Sequence, residues 1–184
     1  ANRFVQLDHM TRGRAMLGCG PGALTSDAYM LNIPPALQRK RMEEALDVIM
    51  RLLADKEPVT AKTDWFELKE ARLHLRPYTR PHFPIVVAST ITPFGMMAAG
   101  KHGLGVLSIG AGLPGGPEAL AKQWQIAEDT AAEHGKSMSR GKWRIVVNVH
   151  VAEDDELALA QVRRGERAET VSRWAPPLSD RPSW

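Results

Sequence analysis

Apolar positions along this chain change their period several times, and each change marks an element. Arg14-Ala-Met-Leu-Gly-Cys19 is a short apolar run followed by Gly-Pro-Gly, which predicts a buried strand feeding a loop. Residues 36–54 carry the helical stripe Met42, Leu46, Ile49 and Leu53, with Pro34 and Pro35 ahead of it, where proline suits a helix start. Over residues 58–80 the period shortens. Phe66 and Leu68, then Leu73 and Leu75, alternate with polar residues, which predicts a hairpin-like excursion. Ile85-Val-Val-Ala88 is the next strand, followed by a short helix over about 93–102 that ends at Gly103. Leu104–Ile109 is a further strand, and Gly110–Gly116 is a glycine-rich loop, either a mobile lid or a connector. Pro117 opens a helix with the stripe Leu120, Trp124, Ala127 and Ala131, and Gly135 stands at its end. Trp143–Val151 is the most β-rich run, and Asp154 or Asp155 caps a last helix to about residue 169. The final fifteen residues, with Pro176, Pro177 and Pro182, read as loop.

The order is therefore strand–helix–excursion, then three more strand–helix pairs. Such alternation implies a parallel sheet covered by helices. Two folds compete: an open doubly wound sheet and a (β/α)8 barrel. A barrel takes about 250 residues, so periodicity alone favours the open sheet. At 184 residues the chain is one domain or two small ones, by the usual domain size of about 100–200 residues.

Composition removes several classes. Hydrophobic residues make up 43% and charged residues 24%, which is globular usage and not that of a disordered or fibrous chain. A single cysteine, Cys19, excludes an intrachain disulfide scaffold. No apolar run approaches the roughly 20 residues of a membrane helix, and the first residues are polar and mixed, so the expectation is a cytoplasmic protein without a membrane partner. The net charge of +3 comes from interspersed acids and bases, as in Arg-Lys-Arg-Met-Glu-Glu at 39–44. That mixture reads as solvated helix faces and not as a nucleic-acid footprint.

The strongest local chemistry is in Val86-Val-Ala-Ser89-Thr90-Ile91-Thr92-Pro93. Thr92 is a natural N-cap and Pro93 a natural first helical residue. A helix N-terminus directly after a parallel strand offers free N–H groups and partial positive charge to an anion. The hydroxyls of Ser89 and Thr92 suit a phosphate there. The same residues equally allow Thr92 merely to cap and Ser89 merely to close the strand. Leu17-Gly-Cys-Gly-Pro-Gly22 lets a flat ligand approach the first strand's end, or is simply a tight turn. It lacks the dinucleotide-binding spacing. Cys19 reads as a small buried hydrophobe, the six histidines form no metal-ligand pattern, and the tryptophans read as packing. Asn148 and His150 lie near a strand's C-terminal end without a face that alternation can assign.

Three stretches in order, residues 7–53, 84–108 and 147–163, resemble the luciferase-like flavin-dependent monooxygenases, the group of bacterial luciferase and the limonene monooxygenase type. The pattern is a Gly-Arg pair before a strand, a glycine-rich strand end, an Arg-x-x-x-x-Glu-Ala-Leu helix, and then a strand with a phosphate-binding turn. The resemblance covers roughly residues 3–170. It implies a (β/α)8 barrel, with about strands four to seven and their helices in this chain. Residues 1–184 would then be a single domain belonging to a larger barrel, with 58–80 the excursion between units. This also gives a reason for a sequence that does not begin with Met.

The resemblance further implies a flavin at the strands' C-terminal ends. Its phosphate would lie on Ser89 and Thr92, with Gly20 close to the ring. Ala88 stands just before the phosphate serine, where bacterial luciferase has an acidic residue. The family's catalytic histidine belongs to an early strand outside this sequence, so the catalytic residues are unknown. The closing segment Trp174–Trp184 departs from the family pattern. The implied activity is monooxygenation of a small organic substrate by reduced FMN and molecular oxygen. A separate flavin reductase would supply the FMN, and the protein would be a homo-oligomer, such as a dimer. FAD is an alternative cofactor. A deazaflavin-dependent reductase or dehydrogenase of the same superfamily, and a non-catalytic flavin-binding relative or inactive fragment, are the alternative functions.

Overall fold

The strands that alternation predicts form a parallel sheet in a computed structural model, which describes residues 1–90, 92–109, 116–147 and 149–163. The elements are α1 (Asn2–Met10), β1 (Leu17–Cys19), α2 (Thr25–Met30), α3 (Gln38–Ala54), β2 (Val59–Lys62), β3 (Glu67–Ala71), β4 (Ile85–Ser89), α4 (Phe94–His102), β5 (Gly105–Ser108), α5 (Gly116–Glu133), β6 (Trp143–Ile145) and α6 (Asp155–Arg163). Single 3-10 turns at Pro35–Leu37 and Arg140–Lys142 lead into α3 and β6. The chain divides into two units, Ala1–Val147 and Asn148–Trp184.

In the first unit, β1, β4, β5 and β6 form a four-stranded parallel sheet in that order. β2 and β3, both within 58–80, pair separately and antiparallel. The order along the sheet follows the order along the chain. A doubly wound sheet reverses direction at a switch point. No reversal occurs among these strands, which is the sequential winding of a barrel. The barrel-like α/β arrangement therefore replaces the open sheet that periodicity favours.

Ile85 and Val87 of β4 share one buried cluster with Val5 of α1, Leu46 and Leu53 of α3, Met96, Ala98 and Ala99 of α4, and Ala127 of α5. Alternate residues of a strand face opposite sides, so these helices cover one face of the sheet. The other face carries Ala88, with Leu107 and Arg144 in register beside it. α4 is buried nearly all round and is rich in small residues. A Cβ on Gly100 would lie 2.6 Å from the Ala127 carbonyl oxygen and 2.9 Å from Thr130 Cβ. That close approach locks α4 against α5.

Some boundaries depart from the sequence reading. α1 and α2 are helices where none is predicted. In α1 only Val5 and the carboxylate of Asp8 are buried, so its apolar stripe is faint. Asp8 is satisfied by Thr79, whose N–H and hydroxyl donate to it at 2.8 and 2.9 Å. The β-rich run from Trp143 yields strand only to Ile145, and Val147, Val149 and Val151 are exposed. Among the described residues no strand pairs with the outer edge of β6, and β-branched residues need such a partner more than an intrinsic preference.

In the second unit, α6 starts at Asp155 and Asp154 is its cap, accepting the Leu157 N–H at 2.8 Å. His150 Nε2 lies 2.6 Å from Gln161 Oε1. The loop at 110–115, Asn148, the extension of the last helix past 163 and the closing Trp174–Trp184 lie outside the described residues.

Candidate functional site

The C-terminal ends of β1 and β4 open into a cleft of about 620 Å³. Its floor is side-chain poor. Gly20 follows β1, and a Cβ placed on it would sit 3.4 Å from Ala88 Cβ. Pro21, Ala23, Pro35 and Ala36 make an apolar wall, and Phe94 and Ile109 add to it. The polar end holds Thr90, Thr92, Gln38 and Arg39.

Local chemistry explains the polar end. β4 runs straight into α4, and the first bond of that helix joins Met97 N–H to Pro93 O at 2.9 Å. The N–H groups of Phe94, Gly95 and Met96 come before it. Among the described residues no side chain caps this terminus. Thr92, expected as the N-cap, is exposed and does not cap; Pro93 holds that position with helical angles. The terminus therefore presents free N–H groups and the positive end of its dipole. Gly95 is required by packing. A Cβ there would collide with the Ala88 carbonyl oxygen and lie 2.8 Å from Ser89 Cα. From the other side, Gln123 of α5 donates its amide to Thr90 O at 2.7 Å and holds the strand-to-helix turn.

Of the four residues expected at a cofactor, Gly20, Ala88 and Thr92 line this one cleft. Ser89 does not. It is one residue beyond Ala88, so its side chain turns to the helix-covered face, where it is only 2% exposed. Its Oγ is shielded and has no hydrogen-bond partner among the described residues. Sequence reasoning missed Thr90, Phe94 and Arg39. The available signal for Arg39 was its place near the start of the helix that the stripe over 36–54 predicts.

Other candidates take structural roles. Cys19 packs beside the core, and burial pushes its thiol above the usual range, so it stays protonated at neutral pH. Trp124 and Trp143 stack at 4.6 Å, and Trp143 donates to Ser108 Oγ at 2.9 Å. His102 Nε2 lies 2.9 Å from Asp47, yet burial holds its pKa below the ordinary histidine value. A neutral imidazole donates that hydrogen bond without charge. Among the described residues no cluster of His, Cys, Asp and Glu could hold a metal ion, and no helix is long and apolar enough to cross a membrane.

Chemically, the cleft combines anion-seeking groups with an apolar lining. A sequence model described as luciferase-like monooxygenase matches residues 1–181. The chain is 48% identical to 4-hydroxyprotoasukamycin monooxygenase of Streptomyces nodosus subsp. asukaensis, over 98% of this chain and 50% of that protein. It is 51% identical to limonene 1,2-monooxygenase of Rhodococcus erythropolis, over 90% of this chain and 42% of that protein. It thus spans about half the length of these curated relatives.

Among solved structures, monooxygenase RslO1 of Streptomyces bottropensis superposes with a TM-score of 0.76 at 25% identity, over 94% of this chain and 51% of its own. The oxygenating constituent of 3,6-diketocamphane monooxygenase from Pseudomonas putida, in complex with FMN, gives 0.70 at 21% identity, over 94% and 50%. An F420-dependent secondary alcohol dehydrogenase, in complex with an F420-acetone adduct, gives 0.69 at 24% identity, over 93% and 51%.

Proposed function

Because this chain belongs to the luciferase-like monooxygenase family, we propose that its cleft is the phosphate end of a flavin site in an enzyme that oxygenates a small organic substrate. The observation that carries the reading is the uncapped N-terminus of α4, packed through Gly95 onto the end of β4 and opening into the cleft. Free N–H groups and a helix dipole at that point favour a phosphate.

The residues present fit such a cofactor. Gly20 and Ala88 leave a floor without bulky side chains, against which a flat ring could lie. Thr90 and Thr92 offer hydroxyls to phosphoryl oxygens. Pro21, Ala23 and Pro35 shield the ring side from water. When bound and reduced, a flavin supplies the electrons for oxygen activation. The chain's own part is to bind, orient and dry the cofactor. In this reading a separate reductase delivers reduced FMN.

FMN is the proposed cofactor. Support comes from the FMN bound to the 3,6-diketocamphane enzyme and from the monooxygenase names of both relatives near half identity. A deazaflavin reading rests on the F420-dependent dehydrogenase, whose fold is nearly as close. Titration with FMN and with the deazaflavin, followed by oxygen uptake with each reduced cofactor, separates the two. The expected result is tighter FMN binding and oxygen consumption with reduced FMN. Absence of oxygen uptake with every reduced flavin tried would overturn the monooxygenase reading.

A further inference from the structure

α3 begins without help from its N-cap residue. Leu37 holds that position and has no polar side-chain group to offer. Such a start frays readily, because the first N–H groups of a helix have no partners within it. Yet Pro35, Ala36 and Gln38, just ahead of this turn and at its first residue, form part of the cleft wall. The excursion supplies an anchor from outside the helix.

After α3 ends at Ala54 the chain doubles back along it. Near the base of β2, Arg51 donates to Thr60 O at 3.5 Å. At the other end, the hairpin tip at 63–66 meets the first two turns of α3. Lys40 Nζ lies 3.0 Å from Asp64 and 3.6 Å from Glu44. Trp65 donates its indole N–H to Glu44 Oε2 at 2.7 Å. The Arg41 guanidinium stands 5.5 Å from the centre of the Trp65 ring. The tip is braced internally. Thr63 N–H bonds to Phe66 O at 2.9 Å, and Thr63 Oγ accepts the N–H groups of Trp65 and Phe66 at 3.3 and 3.2 Å. The Phe66 ring meets Trp65 edge-on at 4.8 Å. One indole thus ties a carboxylate and a guanidinium of α3 to a braced turn. Exposed ion pairs contribute little singly, whereas an N–H bond to a carboxylate is charge-assisted and stronger.

We propose that Trp65 is a positioning residue, which clamps the first turns of α3 from the excursion and so holds the cleft wall at 35–38 in place for the cofactor. Trp65 itself does not line the cleft. The inference rests on the flavin reading above and adds to it a remote residue that tunes the site. Linkage makes the coupling reciprocal. A clamp that favours the bound cleft must itself be tightened by a ligand in the cleft.

The test is a titration of the full chain with FMN, followed by flavin fluorescence, together with hydrogen exchange of the tip amides with and without FMN. Trp65→Phe keeps an aromatic ring and removes the donor. The expected result is an FMN affinity lowered about five- to tenfold, the low end of coupling between sites, with an unchanged circular dichroism spectrum. Glu44→Gln keeps an acceptor oxygen and should stay near wild type. Glu44→Ala should match Trp65→Phe, and the two together should lose no more than either alone. In the wild-type protein, FMN should slow exchange at the Trp65 and Phe66 N–H groups. Wild-type FMN affinity in Trp65→Phe would overturn the clamp and leave the flavin reading standing. Tip exchange that ignores bound FMN would also overturn it, since a merely structural contact feels no ligand. If Trp65→Phe fails to fold, the Glu44 pair and the wild-type exchange rates decide. Wild-type protein that binds no FMN would overturn the flavin reading, and this inference with it.

Discussion

Thr92 and Ser89 stand three residues apart, and their hydroxyls are in opposite situations. The Thr92 side chain is exposed in the cleft and makes no hydrogen bond among the described residues, whereas Ser89 Oγ is sealed behind β4. Thr92→Ala should weaken FMN binding by up to about 3 kcal/mol, the upper range for a hydrogen bond to a charged group. Ser89→Ala removes an unsatisfied buried hydroxyl and should leave affinity and stability nearly unchanged; equilibrium titration of both variants checks this. Spacing alone made the two hydroxyls look equivalent. Only the alternation of β4 separates them, and its phase depends on which face the helices cover. Arg39 was hidden for a different reason, since a mixed charge run looks like any solvated helix face.

His102 adds a pH dependence. Burial disfavours its charged form, and Lys101 and Lys136 oppose protonation too, while Asp47 pulls the other way without winning. The folded protein therefore refuses a proton that the unfolded chain takes up at about pH 6.5. The associated stability is present above that pH and is lost as the pH falls below it. Urea midpoints near pH 5.5 should lie below those near 7.5. The gap should narrow in His102→Gln.

Among the elements, α4 is the one whose composition explains its position. Exposed helix positions gain about 1 kcal/mol when glycine becomes alanine. Gly95 and Gly100 should do the reverse. A methyl group at Gly95 meets the backbone of β4, and one at Gly100 meets the backbone of α5. Forcing such contacts costs about 1–3 kcal/mol, which exceeds the propensity gain. Each alanine variant should unfold at lower urea. Gly95→Ala should also weaken FMN binding, because it displaces the helix terminus itself. The sequence carried the main helices well, since α3 and α5 bury Leu46, Leu53, Trp124 and Ala127 from their predicted stripes. It missed α1, whose buried face includes a carboxylate, and it overran β6, where valines without a neighbouring strand stay exposed.

For the whole molecule, local patterns gave the alternation of strands and helices but not its closure, because open and barrel sheets share the same repeat. What distinguishes them is strand order, which arises only when the units meet. Here β1, β4, β5 and β6 follow chain order, so every strand delivers its C-terminal end to the same rim. That common direction also makes α3 and α4 run side by side, with Arg39 and Phe94 at matching ends. Further along, Asp47 of α3 lies 3.0 Å from Lys101 and 2.9 Å from His102 of α4. Asp47 acts as a rung between two uprights, about 12 Å from the Arg39 end at 1.5 Å rise per residue. Cutting the rung frees the uprights to splay. Asp47→Asn should therefore loosen FMN binding without contacting it, with helix content by circular dichroism unchanged. In mechanical terms, that outcome would put part of the grip of the cleft at the far end of its own frame.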